Sequence, residues 1–131
     1  MPPSPNGINH EITLDQDALR LFYTDTCGED PDFMQEMVIL FLESIDRLIR
    51  DLEQGIDEVD QQLVRRTAHT LKSSSLLFGA VWLAQNCQQV ETLAKEGRMG
   101  EIPGLATLIS QQARHLHTIL PQQIAKIGTE A

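Results

Sequence analysis

The thirteen residues from Ala68 to Ala80 (AHTLKSSSLLFGA) hold one histidine, a lysine three positions later, and otherwise only hydroxyl, small or apolar side chains. A neutral imidazole is a good nucleophile near physiological pH. A lysine one helical turn away can neutralise the oxygens of a phosphoryl group arriving at or leaving the ring. A histidine alone on a helix is an ordinary surface residue. The combination of His69 with Lys72 and small neighbours is what points to phosphoryl transfer. Ser73, a small residue on the turn after His69, fits the same chemistry, because a bulky side chain there would hold off any protein that carried the phosphate on its own side chain.

Helical geometry orders these residues. Each residue turns about 100° from the last, so positions i, i+3, i+4 and i+7 share a face. His69, Lys72, Ser73, Leu76 and Ala80 form one stripe, which Gln62, Arg65 and Arg66 extend towards the N-terminus. The opposite stripe, Ile56, Leu63, Val64, Thr67, Leu71, Ser74, Phe78 and Val81, is mostly apolar and suits a core. The pattern predicts a helix from about Asp57 to about Phe78 with His69 facing solvent. Ser73 is assigned to a partner surface and Ser74 to close helix packing.

The elements around this helix can be read in the same way. Residues 1–12, rich in Pro, Gly, Asn and Ser, read as a flexible tail. A first short helix is expected after Thr13, with Thr13 and Gln16 as a capping box ahead of Leu14, Ala18, Leu21 and Phe22, and with Gly28 as its end. A second has Asp30 as N-cap and Pro31 at its first position. It continues through Phe33, Met37, Leu40, Phe41, Ile45, Leu48 and Leu52, and Gly55 is its stop. The fourth shows Leu83, Cys87, Val90 and Ala94 as a buried stripe and ends at Gly97. After the Pro103–Gly104 break a fifth presents Leu105, Leu108, Ile109, Leu116 and Ile119, and Pro121 marks a kink or an end. No strand pattern and no internal repeat is present. The expected fold is all-α: an antiparallel up-down four-helix bundle with a short additional N-terminal helix, spanning residues 13–127 and followed by a tail at 128–131.

Composition sets the outer bounds. At 131 residues, 41% of them hydrophobic and only 5% aromatic, the chain has the material for one domain of helices packed on helices. A net charge of −9 and a sequence pI near 4.7 argue against nucleic acid and against an anionic membrane surface, both of which are bound by clustered Lys and Arg. The longest apolar run, Met37 to Leu42, is far short of a membrane span, and the N-terminus has neither a basic region nor an apolar signal core. A cytoplasmic protein is expected. Cys27 and Cys87 have no metal-ligand spacing and read as free thiols.

Other chemistries find no support. His115 and His117 diverge by about 200° on a helix and cannot chelate one metal from one face. No histidine has Glu three residues before it, as a di-metal carboxylate bundle requires, and no GxxxxGK[ST] loop is present to cradle ATP. The phosphate must come from another protein.

At His69, Lys72, Ser74, Gly79 and Ala80 the chain resembles the histidine phosphotransfer (HPt) family of phosphorelay proteins, whose motif runs His-x-x-Lys-Gly-Ser/Ala followed by a Gly-Ala or similar pair. Ser73 departs from it, since the family usually has glycine there. Counted with the helix pattern, the resemblance covers roughly residues 14 to 120. It implies the same four-helix bundle. It also implies a phosphocarrier rather than an enzyme: His69 accepts a phosphoryl group from a receiver-domain aspartate, through Nε2, and passes it to another receiver aspartate. Lys72 stabilises the group, and Arg65, Arg66, Ser73, Leu76 and Ala80 serve docking. In the family a glutamine of the next helix often holds the imidazole. The ungapped alignment puts Glu91 there, with Gln88 one turn earlier, and both stand as candidate orienters.

The partners so implied are response-regulator receiver domains and a hybrid sensor histidine kinase. The protein is expected to be a monomer with no cofactor of its own, and Mg²⁺ is expected in the partner receiver. Two other readings compete. A histidine kinase dimerisation module normally has an acidic residue directly after its histidine and a proline soon after, whereas Thr70 and Leu71 follow here. A non-phosphorylated helical adaptor that docks on a receiver is the remaining alternative.

Overall fold

The structure, a computed structural model, describes residues 14–130, so the expected tail at 1–12 and Thr13 lie outside the described residues. Five α-helices follow one another: α1 (Gln16–Leu21), α2 (Pro31–Asp57), α3 (Gln61–Leu77), α4 (Val81–Lys95) and α5 (Pro103–Glu130). A π-helical turn, Phe22–Thr26, prolongs α1, and a 3-10 turn, Met99–Glu101, leads into α5. Short connections reverse the chain between α2, α3, α4 and α5. α3 packs on α2 and α4, and α5 closes the ring against both α2 and α4, which completes an up-down four-helix bundle with α1 beside it.

Local chemistry explains the ends. Asp15, not Thr13, caps α1: its carboxylate accepts from Asp17 N at 3.0 Å and Ala18 N at 3.3 Å. Gln16 instead reaches Gln123 Oε1 on α5 at 2.9 Å. Asp30 caps α2 ahead of Pro31, as its sequence dictates. Asp60 caps α3 by accepting from Leu63 N at 3.1 Å, so this helix starts a few residues later than its apolar pattern suggests.

Several expected apolar faces turn out rotated. On α1 the buried side chain is Leu19, while Leu21 is 60% exposed, because the π turn swings Phe22 and Tyr23 together into the core. On α2 the buried stripe is Met34, Val38, Phe41, Ile45, Ile49 and Leu52, and Phe33 and Leu40 face solvent. Gly55 does not stop α2, which runs on to Asp57. It is buried where α2 meets α3, and a Cβ there would lie 2.8 Å from Val64 Cγ2. In α3 the inward serine is Ser75, fully buried, whereas Ser74 is half-buried. Pro103 opens α5 rather than preceding it. The helix passes through the exposed Pro121 and on to Glu130, beyond the expected domain limit at 127.

The core is aliphatic with one aromatic knot. Phe78, the C-cap of α3, stacks on Phe41 of α2 with centroids 4.1 Å apart and meets Phe22 at 4.7 Å in a tilted pair. Such pairs add about 0.5–1.5 kcal/mol beyond the area they bury. They tie α1, α2 and α3 together at one end of the bundle. Gly79 follows with φ +74°, and its carbonyl accepts from Asp15 N at 2.8 Å, which seats the start of α1 on the α3–α4 turn.

A Cβ at Gly79 would meet Asp15 O at 2.7 Å and would force an L residue into a left-handed conformation. Gly79→Ala should therefore cost about 2–5 kcal/mol, the sum of left-handed strain and a clash with backbone that cannot yield. Urea denaturation checks this; a loss within about 0.5 kcal/mol, the usual range for surface substitutions, would contradict the tight α1–turn contact.

Candidate functional site

His69 lies on the outer side of α3, next to α4. Its neighbours at i−1 and i+2, Ala68 and Leu71, are fully buried and fix the rotation of the helix, so the imidazole emerges with 59% of its side chain exposed. On α4, Cys87 and Val90 are fully buried. Burial pushes the Cys87 thiol up to about 12, with the Glu91 charge adding to the effect, so it stays a neutral packing group.

Four of the residues singled out in the sequence come together here. His69 Nδ1 is 2.9 Å from Glu91 Oε2, and Lys72 Nζ donates to Glu91 Oε1 at 2.9 Å. Lys72 also donates to Gln88 Oε1 at 2.8 Å, and Gln88 Nε2 donates to Thr92 Oγ1 at 3.1 Å. Of the two candidate orienters, the one in contact with the ring is Glu91. Gln88 holds the lysine instead.

Burial pushes Glu91 up, yet hydrogen bonds from Lys72 and His69, together with their charges, outweigh it and hold the carboxyl below its ordinary value. An ionised carboxylate can only accept, so the Nδ1 facing it must carry the ring proton. Nε2 of the neutral ring is then the nitrogen with the free lone pair. This tautomer follows from the partner rather than from a visible hydrogen.

Arg65, Arg66, Ser73 and Leu76 all lie exposed on α3, on the same broad face as His69. Ala80 does not join them. It is 1% exposed and caps the N-terminus of α4, because the turn at Gly79 takes it off the helical stripe on which its spacing had placed it. Leu21 and Leu77, with Ala18, Phe22, Asp25, Thr26 and Leu76, line a cleft of about 280 Å³ between α1 and the end of α3. The π turn that exposes Leu21 has no simple periodic signature. Thr92 was also missed, although its spacing of four from Gln88 on a helix is a readable hydrogen-bonding signal.

The family model described as Hpt domain matches residues 36–126. The chain belongs to the Hpt domain family. Histidine-containing phosphotransfer protein 1 of Arabidopsis thaliana is 37% identical over 60 residues, which cover 44% of this chain and 39% of that relative. The matched part thus spans well under half the length of that relative. The crystal structure of histidine-containing phosphotransfer protein B (HptB) from Pseudomonas aeruginosa PAO1 superposes with a TM-score of 0.78 at 24% identity, covering 86% of this chain and 95% of that one, and shows a shared fold. The Hpt match contains the whole His69–Glu91–Lys72–Gln88–Thr92 network.

Because the folded carboxyl of Glu91 titrates below its ordinary value of 4.5, its ionised form contributes stability that is present above that value. The contribution is lost as pH falls through the lower, folded value. The difference in unfolding free energy between the native Hpt domain and Glu91→Gln should accordingly be largest above pH 4.5 and shrink below it. Denaturation series at several pH values read this directly, and a gap that widened on acidification would reverse the assignment.

Proposed function

We propose that this Hpt domain is a phosphorelay carrier, in which His69 takes a phosphoryl group from a receiver-domain aspartate and later yields it to the aspartate of another receiver. The observation that supports this reading most directly is the Glu91 carboxylate on Nδ1 of an exposed ring. It leaves Nε2 as the nucleophilic nitrogen on the solvent side.

In the forward step the Nε2 lone pair attacks the phosphorus of an aspartyl phosphate. The N–P bond forms as the P–O bond to the acyl oxygen breaks, and the receiver's aspartate departs as a carboxylate. The ring gains positive charge while its proton stays on Nδ1, where Glu91 faces it and offsets that charge. Lys72 lies one turn away, with its ammonium held at the same carboxylate, and is placed to neutralise phosphoryl oxygens. The return step runs the same bonds backwards.

The rest of the machinery belongs to the partners. The receiver supplies Mg²⁺ and the catalytic groups around its aspartate, and this chain contributes a nucleophile, a cation and a surface without turning over as an enzyme. A hybrid sensor kinase stands upstream in the same proposal. Action as a monomer in the cytoplasm belongs to it as well; no described helix is long and apolar enough to cross a membrane. Receiver contact is assigned to Arg65, Arg66, Ser73 and Leu76, continued by the exposed Leu21 and Leu77.

Incubation with a phosphorylated receiver tests the proposal. The chain should acquire label as a phosphoramidate that acid releases and alkali does not. His69→Gln should abolish labelling with helicity intact; an adaptor would take no label at all, and persistent labelling of the variant would move the chemistry elsewhere. Lys72→Ala should slow transfer by roughly tenfold or more, because its charge acts on the transferring oxygens. Its effect on stability should stay within about 1 kcal/mol, as for other partly exposed ion pairs. An unchanged transfer rate would remove Lys72 from the site.

A further inference from the structure

The ammonium of Lys72 has three N–H bonds, and α4 takes up two of them: one goes to Glu91 Oε1 at 2.9 Å and one to Gln88 Oε1 at 2.8 Å. These two acceptors differ in kind. Glu91 is charged and shared with His69, so the contact that holds Lys72 there also cancels part of its charge. Gln88 is neutral and holds the ammonium without cancelling it.

Gln88 is itself oriented. Its Nε2 donates to Thr92 Oγ1, one turn further along α4, at 3.1 Å. A flipped amide would aim an NH₂ group at an NH₃⁺ group, donor against donor, and would lose the lysine contact, while the Thr92 hydroxyl, able to accept or donate, would pair with either amide atom. The lysine therefore fixes which amide atom faces it, and the contact with Thr92 holds the Gln88 side chain in the position from which that atom reaches Nζ. With Glu91 alone, Nζ could swing on its four-carbon stem about a single contact. A second anchor leaves one position for the ammonium and one N–H without an acceptor among the described residues.

We propose that Gln88, steadied by Thr92, is a positioning residue that holds the Lys72 ammonium with its third N–H free for an oxygen of the phosphoryl group on His69. The inference rests on the carrier reading and adds to it. The lysine is not a mobile surface cation recruited when phosphate arrives, but one already set in place at a neutral acceptor.

Transfer rate at saturating receiver and receiver affinity are to be measured for the native chain, Gln88→Ala, Lys72→Ala, the double variant, Thr92→Val and Thr92→Ser. Gln88→Ala should slow transfer about three- to tenfold, the net value of one ordinary intramolecular hydrogen bond, with affinity unchanged. In the Lys72→Ala background the same substitution should have no further effect. Thr92→Val should show a smaller loss of the same sign, and Thr92→Ser should restore the native rate. The proposal fails if Gln88→Ala leaves the rate unchanged, if its effect persists without Lys72, or if weakened receiver binding accounts for it, since Gln88 would then touch the receiver itself. The side-chain ¹⁵N signal of Lys72 gives a readout independent of transfer. Its ammonium protons should exchange with water more slowly in the native chain than in Gln88→Ala, and equal exchange would overturn the proposal even if the native chain took no label, an outcome that would count separately against the carrier reading.

Discussion

One carboxylate joins the two helices on which everything else depends. Glu91 accepts from His69 Nδ1 with one oxygen and from Lys72 Nζ with the other, both at 2.9 Å, so a single side chain of α4 sets the tautomer of the ring and the position of the cation on α3. Salt bridges at a surface are worth little when each partner has its freedom to lose. This one is half sheltered, with Glu91 and Lys72 both mostly covered, and its value lies in geometry rather than in stability. Where the family commonly has a neutral glutamine, this chain has a charge, and that charge faces Nδ1 of the ring.

The bundle exists to keep α3 and α4 in that register. Gly55 lets α2 approach Val64 of α3 closely, Phe78 locks the far end of α3 against Phe41, and the Gly79–Asp15 hydrogen bond fastens α1 over the turn. A buried Asn86–Gln112 pair, at 2.9 Å, cross-links α4 to α5. A polar pair of this kind is satisfied in only one alignment of the two helices, so it opposes slippage that apolar contacts alone would tolerate.

Most of the side-chain cluster of the candidate site was legible in the sequence because its residues obey helical spacing. His69 and Lys72 lie three apart on one helix, and Gln88 and Glu91 lie three apart on the next. What could not be read was which of the latter pair meets the ring, since that depends on the rotation of α4 against α3, set by the packing of Cys87, Val90 and Ala94. Ala80 shows the opposite failure. Its spacing was right, but the helix that would have carried it outward had already ended. The exposure of Leu21, Phe33 and Leu40 was hidden for a third reason. Each belongs to an apolar segment with more hydrophobic residues than one face can hold, and periodicity alone does not say which are left over.

The reactive centre lies along the sides of two helices and not at a loop or a hinge. Its backbone donors and acceptors are spent within the helical ladders, so nothing in the main chain can reorganise around an incoming group, and only side-chain torsions remain to respond. In the carrier proposed above, a site built in this way would offer an incoming partner a set arrangement of helices, with only its side chains to adjust. Under that proposal, choice between partners would be written in fixed relief, in the side chains that border the histidine.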